Sequence, residues 1–254
     1  MALVKSESEL EGLRVSGSIA AMIRDRLAAS VAPGVTTGEL GDYAAELMTA
    51  NGAKSAFLGY RGYPGMICVS VNEEVVHGIP GRRRIRLGDI VSIDVGVRHQ
   101  GYVGDTATTV MVGVTDQDVI RLVQTAETAL REAVRQACAS KRVSDISGAI
   151  ERTALDRGCS VVRKFVGHGI GREMHEEPQV PNFRQKGRSS KLRTGMVLCL
   201  EPMLNMGGHD VEVLADGWTV VTKDRTFSAH FEHMVAIRNG DAEILSLDKT
   251  GAGN

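Results

Sequence analysis

The sequence predicts an α+β protein in which two halves repeat one plan. His77 opens a His-Gly-Ile triplet in the first half, and His168 opens the same triplet in the second. In each half two helices are expected first, and strands that carry acidic residues follow. Such an internal repeat is informative because it fixes the architecture. We therefore expect one domain over 1–254, built from halves at about 8–113 and 115–240, whose acids meet at a shared seam.

The composition argues against several classes of protein. A formal net charge of −1 over 254 residues gives no general attraction to DNA or to an anionic membrane. The four cysteines form no Cys-x-x-Cys pair, so neither a zinc knuckle nor a disulfide scaffold is indicated. The N-terminus has no apolar signal core, and no stretch is apolar enough over the length needed to span a bilayer. We expect a soluble cytoplasmic protein with no DNA or membrane partner.

Apolar residues at helical spacing predict two helices in each half. The first helix is expected over about 8–30 and the second over about 37–51. In the second half, Thr115 is the expected N-cap of a third helix, since an acidic residue three positions later resembles the second member of a capping box. Ser144 is the expected N-cap of a fourth helix, which ends before Gly158.

Two predicted strands carry an acid within an apolar run. Residues 90–97 alternate between a β-branched face, suited to packing under helices, and a second face that contains Asp94. Residues 196–204 alternate in the same way and place Glu201 on the face opposite Met196, Leu198 and Leu200. A carboxylate inside such a strand is costly unless it is paired or bound to a metal. The recurrence of these acids in both halves therefore indicates a metal site.

A turn-like break at 98–101 predicts how the first of these strands pairs with the next. If these four residues form the loop, Asp94 and Asp105 lie directly opposite each other, with Cβ atoms roughly 4.5–5.5 Å apart. Two carboxylates at that distance repel and raise one pKa strongly, unless a divalent cation lies between them. The alternatives are a shifted register or one protonated acid.

Five side chains together have the composition of a two-metal site. Glu232 belongs to a third predicted strand, 229–237, and His168 to a glycine-rich segment that allows close backbone approach. Four carboxylates and one imidazole are too acidic a set for a structural zinc site, which prefers Cys and His. They suit two divalent ions that are bridged by carboxylates and activate a shared water. The candidate metal ligands are Asp94, Asp105, His168, Glu201 and Glu232.

At these residues the chain resembles the methionine aminopeptidases of type I. The motifs that carry the resemblance are NEEVVHGIPG, GDIVSIDVGV, GYVGDTATT, GHGIGREMHEEPQVPNF, GMVLCLEPML and FSAHFEHMVAI, and together with their surroundings they span about residues 5–245. The resemblance implies the pseudo-two-fold pita-bread fold, in which a curved antiparallel sheet carries helices on its outer face and a dinuclear metal site on its inner face. Only 33 positions separate His168 from Glu201, so the helical insertion of type II enzymes is absent and the minimal bacterial form is indicated.

The resemblance also implies an activity and its participants. It implies a single catalytic domain that removes the initiator methionine from nascent proteins and prefers a small second residue. The family's metal ligands fall on the five candidate ligands, and two divalent ions per chain are implied, with Co, Mn, Fe and Zn all open. The catalytic residues implied are His77, His175 and Glu201. The expected partners are the N-terminal methionine of peptides and nascent chains and, transiently, the ribosome; the expected state is a monomer.

Eight residues are expected to bind the substrate. Three aromatic side chains stand within seven positions of one another, and with sulfur-containing and indole side chains they suit a methionine side chain, since sulfur–aromatic contacts are favourable. The alternative is that they form ordinary hydrophobic core. The family often has Phe at the position of Met174 and Cys at that of Phe57, so the pocket shape differs here. The eight residues are Phe57, Tyr60, Tyr63, Cys68, His77, Met174, His175 and Trp218.

Three other interpretations were weighed for the same residues. A proline-directed peptidase of the same fold has a similar metal set but usually carries an extra N-terminal domain. A binding module that keeps the fold loses ligands, whereas all five are present here. A purely structural cation site is disfavoured by the two further histidines.

The basic stretches 82–86 and 184–193 are expected to be solvated surfaces, and either one offers a ribosome contact.

Overall fold

The computed structural model describes residues 4–248, and this part of the chain forms the expected α+β fold. Its helices are α1 (Glu7–Ser30), α2 (Thr37–Ala50), α3 (Gln117–Gln136) and α4 (Val143–Leu155), with a short 3-10 turn at Tyr60–Gly62. Its strands are β1 (Lys54–Ser55), β2 (Cys68–Val71), β3 (Glu74–Val76), β4 (Ile90–His99), β5 (Tyr102–Met111), β6 (Ser160–Val161), β7 (Gly167–Gly169), β8 (Glu176–Val180), β9 (Val197–Leu200), β10 (Met203–Asn205), β11 (Val211–Val213), β12 (Val220–Thr222), β13 (Ser228–His230), β14 (His233–Ala236) and β15 (Glu243–Ile244). Among the described helices, none combines the length and the apolar character needed to cross a membrane.

Capping boxes fix the starts of α1 and α2. The Ser6 hydroxyl accepts the Glu9 N–H at 3.3 Å, and the Glu9 carboxylate accepts the Ser6 N–H at 2.9 Å. Thr36 and Glu39 repeat the arrangement at 3.1 and 2.7 Å. Each box gives partners to N–H groups that the first turn of a helix leaves unbonded. Both helices lie within one residue of their predicted bounds.

The starts of α3 and α4 differ from the prediction. Asp116, and not Thr115, is the N-cap of α3, because its carboxylate accepts an N–H of the first turn at 2.8 Å. Arg142, and not Ser144, is the N-cap of α4, where the Asp145 carboxylate accepts the Arg142 N–H at 2.8 Å. At both starts a carboxylate, that of Asp116 itself in α3 and that of Asp145 in α4, accepts a backbone N–H of the first turn or of the N-cap residue.

Two sheets lie under the two helix pairs, and all their strand pairs are antiparallel. In the first sheet β4 pairs with β1, β2 and β5, and its β-branched face is fully buried against α1 and α2. The second sheet has the order β15-β14-β9-β7-β8, and Leu198 and Leu200 of β9 pack in one cluster with residues of α3 and α4. Smaller sheets have the orders β13-β10-β6 and β11-β12-β3. The faces predicted for β4 and β9 are confirmed.

The hairpin of β4 and β5 has a different register from the expected one. Gln100 and Gly101 alone form the turn, with the positive φ values of 48° and 84° that suit a two-residue hairpin turn of type I′. Asp94 therefore lies opposite Ala107, and the expected direct opposition of Asp94 and Asp105 is wrong by two positions. Because side chains of a strand alternate with a period of two, both acids still share one face.

Two predicted strands are interrupted at their acids. The run 196–204 divides into β9 and β10 around Glu201 and Pro202, and Pro202 has no N–H to donate to a ladder. The run 229–237 divides into β13 and β14 around Glu232. Glu201 and Glu232 thus lie between strands, and their carboxylates reach the cavity described below.

Candidate metal centre and substrate pocket

One cavity of about 230 Å³ brings together every residue proposed for the site from sequence. The five candidate metal ligands and the eight candidate substrate residues all line it. Five further residues complete its lining: Arg61, Val76, Phe165, Val166 and His230. Residues from both halves of the chain therefore line one pocket, in which carboxylates and imidazoles lie beside aromatic side chains.

His168 lies at the centre of the acidic part of this pocket. Its Nε2 atom is 3.5 Å from Glu201 Oε1 and 3.8 Å from Asp105 Oδ2. Its Nδ1–H donates to the carbonyl oxygen of Gly169 at 2.9 Å. Because that bond holds the proton on Nδ1, the lone pair of Nε2 faces the two carboxylates, which is the tautomer that a metal-ligating histidine needs.

Backbone hydrogen bonds bring Glu232 to the same place. The Glu232 N–H donates to the Ala107 carbonyl at 3.0 Å, and the Ala107 N–H donates to the Glu232 carbonyl at 3.4 Å. Ala107 is also the residue that faces Asp94 across the hairpin. The segment between β13 and β14 is therefore joined to β5, and its acid lies beside those of the first sheet.

Several carboxylate oxygens of this cluster are buried without a partner. Asp94 Oδ1, Asp105 Oδ1 and Glu232 Oε1 accept no hydrogen bond from any residue within 4–248. Buried polar atoms in proteins almost always have a partner, and each unsatisfied one costs about 1–3 kcal/mol. Three such oxygens in one cavity indicate a ligand that takes oxygen donors, and divalent cations have that preference.

The pKa values of the cluster agree with that interpretation. Burial raises the pKa of Asp94 to about 7. Burial, and after it the neighbouring carboxylates, raise the pKa values of Asp105, Glu201 and Glu232 well above their usual range. Burial lowers the pKa of His168 to about 3, so its imidazole is neutral near pH 7. Four acids that resist ionisation and one neutral imidazole fit two divalent cations, which remove the repulsion between the carboxylates.

Metal binding is therefore expected to release protons in a pH-dependent way. A bound divalent ion requires ionised carboxylates, so protonated acids must give up their protons on binding. Since Asp94 has a pKa of about 7, it carries its proton at pH 6 and has lost it at pH 9. Calorimetry with Mn²⁺ in buffers of different ionisation enthalpy should measure more released protons at pH 6 than at pH 9. Asp94→Asn should reduce this difference, and equal release by the unmodified chain at both pH values would contradict the assignment.

His175 stands beside the metal cluster and is accessible from the pocket. Its ring centroid lies 4.3 Å from that of His168 and 5.3 Å from that of Tyr60, on which it stacks. The Tyr60 hydroxyl lies 2.8 Å from His175 Nδ1. Desolvation lowers the pKa of His175, so the neutral ring is favoured near pH 7. When the hydroxyl donates to Nδ1, the proton of the ring resides on Nε2 and is available to a substrate.

His77 lies on the aromatic side of the pocket. Its backbone has a positive φ of 61°, and its ring meets Phe165 edge-on at 5.4 Å and Trp218 at 6.3 Å. Burial lowers the pKa of His77 to about 4, so its imidazole is also neutral near pH 7. A neutral ring donates through one nitrogen and accepts through the other, which suits it to hold a peptide group in one orientation.

The aromatic wall is organised around Tyr63. Its ring packs edge-on against Phe57 at 6.5 Å and against Trp218 at 5.1 Å. Its hydroxyl reaches the Gly78 carbonyl at 3.0 Å, beside His77. Phe57 has room because residue 96 is glycine: a Cβ atom there would lie 2.3 Å from the Phe57 ring. The candidate substrate residues thus pack as a small core and also line the cavity.

Some site residues were not found from the sequence. Cys199 Sγ lies within 4.8 Å of ligand atoms of Asp105, His168 and Glu232. Burial and the adjacent carboxylates raise the pKa of this thiol, so it remains protonated beside Glu232. The alternation of β9, which puts Cys199 and Glu201 on one face, was an available signal. His230 was also not among the residues proposed from the sequence, yet its buried Nε2 lies 4.0 Å from Glu201 Oε2.

Comparisons with known proteins agree with this geometry. The model of metallopeptidase family M24 matches residues 11–239. A methionine aminopeptidase of Clostridium perfringens is 45% identical over 249 residues, covering 98% of this chain and 100% of that protein. Methionine aminopeptidase 1 of Bacillus subtilis is 43% identical over 246 residues, covering 97% of this chain and 99% of that protein.

The solved structures give the same result for the fold. The crystal structure of a methionine aminopeptidase from Thermotoga maritima superposes with a TM-score of 0.95 at 41% identity, and the match covers 97% of this chain and 100% of that one. The predicted pita-bread architecture is therefore confirmed.

Proposed function

Because the chain belongs to metallopeptidase family M24 and is a methionine aminopeptidase, we propose how its residues share the removal of an N-terminal methionine. The enzyme is a metal-dependent hydrolase, and a pair of divalent ions is the typical complement of this family. The observation that carries the proposal is the single cavity in which four carboxylates and a neutral imidazole adjoin an aromatic pocket.

The five acidic and imidazole side chains divide between two cation positions. Asp94 and Asp105 would hold one cation and His168 and Glu201 the other, with Asp105 and Glu232 shared between the two. This division is supported by the unpartnered oxygens of Asp94, Asp105 and Glu232 and by the short distances from His168 to Asp105 and Glu201. When bound, the cations lower the pKa of water and polarise the scissile carbonyl.

Three residues act directly on the peptide. Glu201 takes a proton from water and passes it to the leaving amine, a role supported by its place in the acidic cluster, where its Oε1 lies 3.5 Å from His168 Nε2. His175 donates from Nε2 to the carbonyl oxygen as negative charge develops there. His77 holds the peptide group across the pocket. The free N-terminal amine lies near the carboxylates, which makes the enzyme an exopeptidase.

The aromatic wall provides the methionine site. Phe57, Tyr60, Tyr63, Met174 and Trp218 offer sulfur and aromatic contacts to the thioether, and Cys68 lies at the same wall. Arg61 and Phe165 line the cavity beyond the predicted set. We infer that they limit the space for the residue that follows methionine. We expect a small second residue to be preferred for that steric reason.

Peptides that differ at the second residue test the specificity. With Mn²⁺-loaded enzyme, methionine release from Met-Ala-Ser should exceed release from Met-Leu-Ser by on the order of 10-fold or more in kcat/KM. Similar rates for the two peptides would contradict the steric preference. Cleavage restricted to Xaa-Pro peptides would instead support the proline-directed interpretation.

The basic stretch 184–193 is the surface that we propose for the transient contact with the ribosome. Its five basic side chains are all exposed. In the other basic stretch, 82–86, Arg83 is already paired with Glu74 at 2.5 Å. We assign the transient ribosome contact to 184–193, because RNA phosphates bind exposed basic groups in a salt-dependent manner. The enzyme then acts as a cytoplasmic monomer on emerging chains.

Co-sedimentation with ribosomes at increasing salt tests that surface. Lys186→Glu combined with Arg188→Glu should abolish binding, whereas Arg83→Glu, the matched control, should not. Equal binding by the unmodified chain, the double variant and the control variant would exclude this surface as the ribosome contact. Separately, a mass from light scattering above that of one chain would exclude the monomer.

A further inference from the structure

The turn that carries His175 is closed by a carboxylate from the residue that follows it. Residues 170–175 form neither helix nor strand between β7 and β8. Glu176 Oε1 accepts the Glu173 N–H at 3.4 Å, and the Gly171 N–H donates to the Glu173 carbonyl at 3.2 Å. The Glu176 side chain therefore links the end of the turn to its middle, directly beside His175.

This carboxylate is paired with a residue from the start of the chain. Lys5 Nζ lies 2.5 Å from Glu176 Oε2, and each side chain is only 8% exposed. The Lys5 N–H also donates to the carbonyl of Gly195 at 2.8 Å, which holds the segment before α1 against the second sheet. The pair joins positions that are 171 residues apart in sequence. A buried ion pair of this kind is costly to break, because the remaining charge loses its partner.

Two glycines leave the space that this segment occupies. A Cβ atom at Gly171 would lie 2.2 Å from Lys5 Nζ and 2.4 Å from Glu176 Oε1. A Cβ atom at Gly195, whose φ is +87°, would lie 2.9 Å from the Lys5 carbonyl oxygen. The backbone on both sides therefore accommodates Lys5, which packs closely against the turn that carries His175.

We propose that the Lys5–Glu176 ion pair is a positioning device that holds His175 at the orientation needed for catalysis. The inference rests on the role proposed above for His175. Lys5 and Glu176 do not line the cavity. They act through the turn: Lys5 fixes the Glu176 carboxylate, that carboxylate fixes the turn, and the turn sets His175 against the Tyr60 hydroxyl. A displacement of about 1 Å in a catalytic group can cost roughly 100-fold in rate.

A double-mutant cycle tests the proposal on the full-length, Mn²⁺-loaded enzyme. Lys5→Met is expected to lower kcat by about 10- to 100-fold with little change in KM, and Lys5→Arg to restore most of it. If Lys5 acts through His175, Lys5→Met should change kcat less than about 2-fold in a His175→Ala background, because coupled residues are not additive. Lys5→Met combined with Glu176→Gln removes both charges and keeps the test available if Lys5→Met alone fails to fold.

A spectroscopic measurement provides a readout that does not depend on turnover. In the metal-free protein, the imidazole nitrogen signals of His175, assigned by difference with His175→Ala, should report one tautomer in the unmodified chain and an averaged ring after Lys5→Met. If Lys5→Met changed neither the His175 signals nor kcat, the positioning role would be overturned, while the role of His175 would stand. The same conclusion would follow if Lys5→Met lowered kcat equally in the unmodified and the His175→Ala backgrounds. Full activity of His175→Ala would overturn the proposed role of His175 as well.

Discussion

Glu201→Gln is expected to reduce kcat by at least 10²- to 10⁴-fold, the range that a positioned acid–base group contributes. The substitution keeps the shape of the side chain but removes the proton relay and one candidate metal ligand. In the structure Glu201 Oε1 lies 3.5 Å from His168 Nε2, inside the acidic cluster. Hydrolysis of Met-Ala-Ser under saturating Mn²⁺ measures the effect.

The fold of this variant should remain intact. Burial, and then Asp105, raise the pKa of Glu201 in the folded state, so its stability contribution is lost as pH rises through that pKa. At pH 8 a neutral amide is therefore expected to leave the metal-free protein at least as stable, by thermal unfolding. Glu127→Gln, an exposed acid on α3, is the matched control and should keep full activity. Activity retained by Glu201→Gln would remove Glu201 from the proton relay.

His175→Ala is expected to reduce kcat by about 10²- to 10³-fold while KM for the peptide changes little. The reason is that a donor to the developing oxyanion acts mainly in the transition state, where removal of one such donor costs about that factor. The hydrogen bond between the Tyr60 hydroxyl and His175 Nδ1 supports a proton on Nε2, as the proposed oxyanion role requires. Steady-state kinetics over a range of peptide concentrations separates the two parameters.

Two further variants sharpen this result. Tyr60→Phe keeps the ring stacked on His175 but removes its hydroxyl, so a smaller loss of kcat is expected. His209→Ala, a histidine on an exposed loop, should have no effect. An increase confined to KM in His175→Ala would show that His175 binds the ground state and does not stabilise the oxyanion.

The helices and their buried faces could be predicted because periodicity records which side faces the core. α1 and α2 lie within one residue of their expected bounds, and the β-branched face of β4 packs under them as expected. The starts of α3 and α4 could not be fixed because two polar residues compete for each N-cap, and local hydrogen bonds decide between them. The N-caps are Asp116 and Arg142, and not the predicted Thr115 and Ser144.

The candidate site was predictable in composition but not in geometry. Asp94 and Asp105 share one face as predicted, although the predicted register was wrong, because the error was an even number of positions. A tight turn at Gln100 was not foreseen, since a positive φ is uncommon for that residue type. Phe165 reaches the cavity only through tertiary packing, for which the sequence held no signal. The division of the chain into two halves and the role of each site residue remain predictions.

Anomalous X-ray diffraction from crystals of the Mn²⁺-loaded enzyme tests the central claim most directly. We expect two peaks about 3.5–4 Å apart, both within bonding distance of Asp105 and Glu232, with Asp94 on one ion and His168 and Glu201 on the other. A single peak, or two peaks that do not share these carboxylates, would contradict a dinuclear centre built by acids from both sheets.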